Sequence, residues 1–353
     1  MEKNETKTDI MSLTEAELTD FIKDLGQPAF RAKQLYLWMQ AGAPLEEMSN
    51  LPKKFRELLN ERAEYKLPKI ERRFVSQKDG TVKYLFALND GECVESVLMK
   101  YSYGNTLCVS SQAGCRMGCK FCASTLSGRV RNLTPSEILG QITAAERDSG
   151  ERVHGIVMMG IGEPLDNYDN VIKFLHLVGE DGHGIGMRHI SLSTCGLVPQ
   201  IRHLAEEGLP VTLSVSLHAH CDDRRKKIMP IANKYPIEEL LSACRYYFEK
   251  TGRRVSFEYT LISGENDSLD DARALAALLK REMKYPCHVN LIMLNEVSET
   301  GLKTVDKTQA KLFEAEMIRL GQNATIRRRL GGDIDASCGQ LRLSRNREIE
   351  TKA

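Results

Sequence analysis

The sequence feature that most constrains the fold is a regular alternation of short apolar runs and amphipathic segments from about residue 105 onward. The apolar runs predict strands at 106–111, 154–159, 189–194, 211–217, 255–262 and 288–293. The intervening segments predict helices at 135–147, 169–178, 198–207, 237–251 and 269–283, and a last helix and strand follow at 307–320 and 324–329. Six strand–helix units in series predict an α/β fold with a parallel sheet, closed or open, arranged as a six-fold β/α barrel. Its chemistry is expected in the loops after the strands.

The residues before this alternation have a different character. Up to residue 65 the pattern is helical, and Thr14 followed by Glu17 is typical of a helix N-cap. From residue 70 to 100 it changes to short strands separated by turns at Asp79-Gly80 and Asp90-Gly91. We therefore expect an N-terminal helical accessory domain at 1–65, a strand-rich connector at 66–104, the barrel at 105–300 and a C-terminal extension at 301–353.

The chain has ten cysteines in 353 residues. Its first residues are polar with no apolar signal region, and no apolar run is long enough to cross a membrane. These features predict a cytoplasmic protein with no membrane association. Because disulfides are rare in that compartment, the cysteines favour metal binding or redox chemistry.

The strongest motif is the spacing Cys-x3-Cys-x2-Cys formed by Cys115, Cys119 and Cys122. Three thiolates this close can hold one [4Fe–4S] cluster and leave the fourth iron without a protein ligand. A structural zinc site is the alternative, with Cys108 or a distant histidine as fourth ligand, although such sites often use a second pair of cysteines that this chain lacks. The spacing alone therefore favours an iron–sulfur cluster over zinc.

The triplet, with Phe121 before its last cysteine, resembles the radical S-adenosylmethionine (SAM) superfamily. Further segments resemble the RlmN/Cfr family within it: 106–115, 131–133, 162–164, 214–219 and 333–341. The resemblance extends from about residue 18 to about residue 342. It implies a partial (β/α)6 radical SAM barrel that methylates an adenine carbon in RNA. It also implies that SAM binds the open iron of the [4Fe–4S] cluster.

The resemblance also assigns residues at strand ends to SAM binding. They are Gly162, Glu163, Ser193, Ser216, Leu217, His218 and Asn295. Each of these alone is more often an ordinary polar or packed residue at a strand end. Together they follow several predicted strands, where a cofactor lying across the mouth of a barrel would contact them.

Three residues outside this set carry the chemistry that the resemblance implies. Cys338 would accept a methyl group from a first SAM molecule, because a thiolate is nucleophilic and an adenine carbon is not. A second SAM would activate that methyl group for addition to the base, so each turnover uses two. Glu95 would remove the ring proton, and Cys108 would release the product by forming a disulfide with Cys338. Without the resemblance, Cys338 would be interpreted as a buried thiol and Glu95 as an outward strand residue.

The implied partners are large-subunit rRNA, possibly tRNA, and an electron donor such as flavodoxin or ferredoxin, and we expect a monomer. Basic runs at 224–227, 327–329 and 342–347 are candidate phosphate contacts, although each alone is more often a solvated face. The helical N-terminal segment is a second candidate for contacts with RNA, whose recognition usually exploits unpaired loops.

Within the family, Pro164 and the sequence Ala-Ser-Thr after Cys122 favour the RlmN branch, which methylates carbon 2, over the Cfr branch, which methylates carbon 8. Two other hypotheses stay open at this point. A radical SAM activase or mutase would need the triplet but neither Cys108 nor Cys338. An RNA-binding protein with a structural zinc would not cleave SAM.

Overall fold

The computed structural model describes residues 7–179, 183–296, 298–334, 342 and 345. The chain begins with a small helical unit whose two ends are joined. Its elements are β1 (Thr8–Asp9), α1 (Glu15–Asp24), α2 (Phe30–Gln40), α3 (Lys53–Arg62) and β2 (Ala63–Glu64). β1 pairs in parallel with β2, which closes the unit. α1 begins with the predicted cap, in which Thr14 and Glu17 form a reciprocal capping box.

The next three strands form an antiparallel meander that continues into the main sheet. They are β3 (Lys69–Val75), β4 (Val82–Ala87) and β5 (Cys93–Tyr101), and β5 pairs with β6 (Gly104–Cys108). The predicted strands of the connector are confirmed. They add an antiparallel edge to the sheet that the barrel strands form.

After β6 the chain alternates strands and helices as predicted. The elements are β7 (Gln112–Gly114), β8 (Arg129–Asn132), α4 (Pro135–Ser149), β9 (Val153–Met158), α5 (Tyr168–Val178), β10 (Ile190–Thr194), α6 (Val198–Glu206), β11 (Thr212–Ser216), α7 (Asp222–Ile228), α8 (Ile237–Thr251), β12 (Val255–Leu261), α9 (Leu269–Met283), β13 (His288–Met293), α10 (Lys307–Arg319) and β14 (Asn323–Ile326). The strand order is β14-β13-β12-β11-β10-β9-β6-β5-β4-β3, and β6 and β9 to β14 are parallel. Side chains from or just after β9 to β14 line one common cavity, so the sheet curves as a partial barrel.

Three details differ from the sequence prediction. The first predicted strand ends at Cys108, and β7 instead pairs with β8 in a separate two-stranded hairpin. The short helix α7 was not predicted, because its sequence is a run of charges with little apolar periodicity. The last strand, β14, joins the parallel sheet beside β13 as a seventh parallel strand.

The helical unit packs against the outside of the barrel at α4 and α5. Asp9 accepts a hydrogen bond from the Ser136 hydroxyl at 2.6 Å, and Glu17 forms an ion pair with Lys173 at 2.9 Å. No helix in the described part of the chain is both long and apolar enough to span a membrane.

Beyond β14 the chain returns to the antiparallel edge of the sheet. Asp333 accepts hydrogen bonds from the hydroxyl of Ser76 at 2.7 Å and the backbone N–H of Gln77 at 3.0 Å. Further along, Arg345 forms an ion pair with Glu71 at 2.8 Å. The C-terminal extension is thus attached to the meander at both ends of the segment 335–341.

Candidate active site

The cysteine triplet lies in a loop that the β7–β8 hairpin holds at its base. Gly114, at the end of β7, has a φ of +80°, and a Cβ there would lie 1.9 Å from the carbonyl oxygen of Gly128. Glycine is therefore required for the two arms to approach. Asp166 ties the loop to the barrel by ion pairs with Arg116 and with Arg129, the latter at 3.0 Å. Burial opposes ionisation of Asp166, but these arginines and Gln112 bring the pKa of its carboxyl below the usual value.

All three cysteines of the triplet line a cavity of about 220 Å³ at the carboxyl ends of the barrel strands. Cys115 and Cys119 are buried, and burial raises the pKa of the Cys115 thiol to about 12 and that of Cys119 further. Buried thiols of this kind ionise when a metal supplies the compensating positive charge.

The donor set fits a [4Fe–4S] cluster better than a single ion. Within the residues described, no three Cys, His, Asp or Glu side chains are close enough together to hold one metal ion. In a cubane cluster each thiolate binds a different iron, so its cysteines stand farther apart than the ligands of one ion. All three thiols line one cavity, where each can bind a different iron of one cluster.

Most of the predicted SAM-binding residues meet in this cavity. Gly162, Glu163, Ser193, Ser216 and His218 line it together with the three cysteines. Leu217 is not among the residues that line this cavity: its side chain is fully buried in the hydrophobic core, and its backbone carbonyl accepts a hydrogen bond from Arg225. Asn295 lines a neighbouring cavity instead.

Glu163 holds two strand ends together at the cavity wall. One carboxylate oxygen accepts the backbone N–H of Cys195 at 2.7 Å and the other accepts that of Leu165 at 3.1 Å. Its own N–H donates to the side chain of Gln112 at 2.8 Å. Burial raises the pKa of the Glu163 carboxyl although these N–H donors oppose the rise. The adjacent Gly162 has φ +108°, and a Cβ there would lie 2.6 Å from the Cβ of Gln112.

His218 is buried in a strained conformation, with φ +55° in a residue that has a side chain. Nδ1 accepts the backbone N–H of Thr260 at 2.9 Å, so a neutral ring carries its proton on Nε2. Its ring packs edge-on against Phe121 in the cysteine loop, with 4.7 Å between centroids. Burial, assisted by the charge of Arg225, lowers the pKa of His218 to about 3. The imidazole is therefore neutral at physiological pH.

Two buried charged residues beside this cavity were missed by sequence reasoning. Glu258 in β12 lines the cavity, and its Oε2 atom has no hydrogen-bond partner among the described residues. Burial raises the pKa of its carboxyl. The sequence did contain a signal that could have identified Glu258, namely a carboxylate in the middle of the otherwise largely apolar strand β12. The second is Arg225, which the sequence places in a basic run that we interpreted as surface and which is completely buried.

A second, larger cavity of about 660 Å³ adjoins the first. Met159, Ile292 and Arg327 line both, so they form the boundary between the two. Cys108 lines the larger cavity at the end of β6, and so do the basic residues Lys307, Lys311, Arg327, Arg328 and Arg329. The predicted resolving cysteine, Cys108, thus lines the cavity that adjoins the one lined by the cysteine triplet.

Glu95 lies on the same face of the sheet as Cys108. Val97 is paired with Cys108 across β5 and β6, and Glu95 is two residues before Val97, so all three side chains point to one face. Glu95 forms an ion pair with Lys83 at 3.0 Å, and both side chains are almost completely buried. Its other oxygen accepts the backbone N–H of Arg342 at 2.7 Å. Glu95 is therefore an inward, charge-paired residue and not the outward strand residue that the bare pattern suggested.

Cys338, the predicted methyl carrier, lies outside the described residues. Residues on both sides of it in the chain contact the meander. Gly331 and Asp333 contact the turn between β3 and β4, and Arg342 contacts Glu95 in β5. Two members of the run 342–347, Arg342 and Arg345, form ion pairs with Glu92 and Glu71 in the meander. These two arginines are therefore internal contacts and not a solvated face.

A parallel partial barrel with three cysteines in the loop after its first strand defines the radical SAM class. The sequence matches the radical SAM superfamily over residues 109–279 and the ribosomal RNA large subunit methyltransferase N-terminal domain over residues 8–65. A crystal structure of a radical SAM methyltransferase from Sphaerobacter thermophilus superposes with a TM-score of 0.89 at 41% identity, covering 94% of this chain and 98% of that one.

Named relatives narrow the class further. The chain is 50% identical over 345 residues to a probable dual-specificity RNA methyltransferase RlmN of Clostridium botulinum, covering 97% of this chain and 99% of the relative. It is 52% identical over 338 residues to the protein of the same name in Clostridium perfringens, covering 95% and 96%. The chain belongs to the RlmN family of radical SAM methyltransferases. Membership implies a [4Fe–4S] cluster, as the cysteine spacing predicted, and SAM, as the resemblance implied.

Proposed function

We propose that this protein methylates carbon 2 of an adenosine in large-subunit rRNA and in tRNA. The relatives at about 50% identity are named as dual-specificity RNA methyltransferases. The observation that carries the proposal is the pair of adjoining cavities, one lined by the cysteine triplet and the other by Cys108 and a run of arginines. In this arrangement the Cys108 thiol and a basic surface lie beside the cavity that the cysteine triplet lines, which supports the proposal.

Cys115, Cys119 and Cys122 would hold the cluster, and Glu163, Ser193, Ser216 and His218 would surround SAM. When bound, cluster and SAM supply a one-electron cleavage that yields a hydrogen-abstracting radical. The neutral His218 adds no positive charge to a cavity that must accept the cationic sulfonium. The unpartnered Oε2 of Glu258 can accept a hydrogen bond from the ligand.

The methyl group would travel through Cys338. Its thiolate would take the methyl group from a first SAM, with S-adenosylhomocysteine as the leaving group. The radical would then remove a hydrogen atom from the S-methyl group, the resulting carbon would bond to carbon 2 of the base, and the adduct would give up one electron, for which the cluster is the acceptor. Glu95 takes the proton from that carbon. Cys108 attacks the sulfur of Cys338, the bond from sulfur to the new methylene breaks with its electron pair on carbon, and the carbon takes a proton. The placement of Arg342 on Glu95, four residues after Cys338, supports this arrangement because four residues span at most about 14 Å.

The basic lining of the larger cavity supports an RNA substrate. Arg328 and Arg329 lie at its wall with Arg327, where they can contact phosphates while a base enters. Nearby, Tyr103 is 77% exposed and stacks on Tyr101, with centroids 5.0 Å apart and planes 7° apart. An exposed aromatic face beside arginines is a typical stacking surface for an unpaired base.

We also propose that residues 1–65 act as an RNA-binding accessory domain, residues 66–104 as a connector, 105–300 as the catalytic barrel and 301–353 as the extension that carries Cys338. A flavodoxin or ferredoxin would supply electrons to the cluster.

The test is methylation of defined RNAs by the anaerobically reconstituted protein with SAM and a reductant. Nucleoside mass spectrometry distinguishes 2-methyladenosine from 8-methyladenosine. We expect 2-methyladenosine in an rRNA fragment and in tRNA, and none with Cys338→Ala. Cys287→Ala is the matched control, because Cys287 is a buried cysteine just before β13, at the opposite end of that strand from the residues that line the cavities. 8-Methyladenosine would place the chain's activity in the Cfr branch, and SAM cleavage without methylation of either RNA would contradict an RNA substrate.

A further inference from the structure

Arg225 is a completely buried cation, and among the described residues none of its hydrogen-bond partners is a carboxylate. Its guanidinium donates to the backbone carbonyls of Cys195 at 2.7 Å, Ser216 at 3.1 Å and Leu217 at 3.2 Å. Its Nη1 atom is buried and has no partner in the described part of the chain. The carboxylate of Asp222 lies near enough to favour the charged guanidinium, but it accepts the backbone N–H of Ile237 at 2.9 Å and forms no hydrogen bond with Arg225 in the described part of the chain. Burying a charge in this way is costly unless something negative compensates it.

The position of Arg225 indicates what that negative group is. The backbone N–H of Lys120, next to Cys119, donates to the carbonyl of Ile228 at the end of α7 at 2.9 Å. The side chain of Cys119 packs in a group of buried apolar side chains that includes Cys195, Ile228 and Met229. Arg225 donates to the carbonyls of Cys195 and Ser216, and both of these residues line the cavity that the three cysteines also line. The guanidinium therefore lies directly behind the wall that faces the cysteines.

We propose that Arg225 is the fixed counter-charge of the [4Fe–4S] cluster and raises its reduction potential. A cluster on three thiolates gains one more negative charge on reduction, and net charge and surroundings set the potentials of such clusters. A cation held rigidly in a medium of low dielectric favours the more negative state. The carbonyl bonds also fix the ends of β10 and β11. The role as counter-charge requires the cluster that family membership implies, but it does not require RNA as the substrate.

The test is a redox titration of the reconstituted protein, without RNA, followed by electron paramagnetic resonance of the reduced cluster. Arg225→Met should lower the equilibrium constant for reduction about tenfold, which equals about 59 mV for one electron. Arg225→Lys keeps the charge and should stay within about threefold of the parent protein. The matched control is Arg253→Met, because Arg253 donates to Thr212 at the opposite end of β11.

Two results would overturn the proposal. One is a shift for Arg225→Met no larger than that of Arg253→Met. The other is an equal shift for the methionine and lysine variants, which would show that packing and not charge is responsible. If Arg225→Met does not retain its iron–sulfur cluster, Arg225→Gln replaces it, because glutamine keeps a donor for the carbonyls. Arg225→Gln should shift the potential by the same amount, and a shift no larger than that of Arg253→Met would again overturn the proposal. Failure of RNA methylation alone would leave this result unaffected.

Discussion

The buried ion pair of Lys83 and Glu95 makes a demanding prediction about stability. The two side chains are 0% and 1% exposed, and their charged atoms are 3.0 Å apart. Lys83→Met keeps the length of the side chain but leaves the Glu95 carboxylate without its cation. Breaking such a pair by removing one partner costs about 3–5 kcal/mol, mostly because the remaining charge stays buried. We therefore expect Lys83→Met to be more harmful than the loss of an ordinary surface lysine.

The assay is urea unfolding of the reconstituted protein, followed by circular dichroism, for Lys83→Met, Glu95→Leu and the double variant. The double variant should be more stable than Lys83→Met alone, since it removes the uncompensated charge. Lys100→Met is the control, because Lys100 pairs with Glu151 at 2.5 Å with both side chains more than a third exposed, and its loss should cost about 0–1 kcal/mol. A cost for Lys83→Met no greater than that of Lys100→Met would refute the reasoning.

Two further predictions concern the loop and the cavity. After reconstitution, Gly114→Ala should contain much less iron per protein than the control variant Gly128→Ala. The reason is that a Cβ at Gly114 would lie 1.9 Å from a carbonyl oxygen, whereas a Cβ at Gly128 would meet nothing within 4 Å. Equal iron content in the two variants would contradict this prediction. His218 has a folded-state pKa of about 3 against an ordinary 6.5, so the stability it contributes is complete above pH 6.5 and is lost as the pH falls toward 3. Between pH 6.5 and 5 this loss lowers the free energy of unfolding by about 2 kcal/mol. In His218→Asn the free energies of unfolding measured with urea at the two pH values should differ by about 2 kcal/mol less than in the parent protein; an unchanged pH dependence would contradict the assignment.

The parts of the site that follow from local sequence were predictable. The cysteine spacing marks the cluster loop because three ligands of one cluster must lie close together in the chain. The family resemblance assigned Glu163 and Ser193 to the SAM site, and both line one cavity because parallel strands deliver their carboxyl ends to one edge. The alternation of strands and helices likewise predicted a parallel sheet arranged as a barrel, and the structure confirms a partial barrel in which β6 and β9 to β14 are parallel.

What the sequence did not reveal depends on contacts distant in the chain. Arg225 resembles its exposed neighbours, and only the carbonyls at the ends of two strands show that it points inward. The partner of Glu95 is on an adjacent antiparallel strand, which no local pattern identifies. Asn295 lines the larger cavity and not the one with the cysteines, and this depends on the positions of Met159, Ile292 and Arg327 between the two cavities.

The central claim is that Cys338 carries the methyl group and Cys108 releases the product, and trapping the reaction tests it most directly. Cys108→Ala should react once and then stop, because nothing remains to attack the sulfur of Cys338. Denaturing gel electrophoresis and peptide mass spectrometry should then show RNA joined to the peptide that contains Cys338, and Cys108→Ala/Cys338→Ala should show none. Multiple turnovers by Cys108→Ala, or RNA joined to any other residue, would contradict the account.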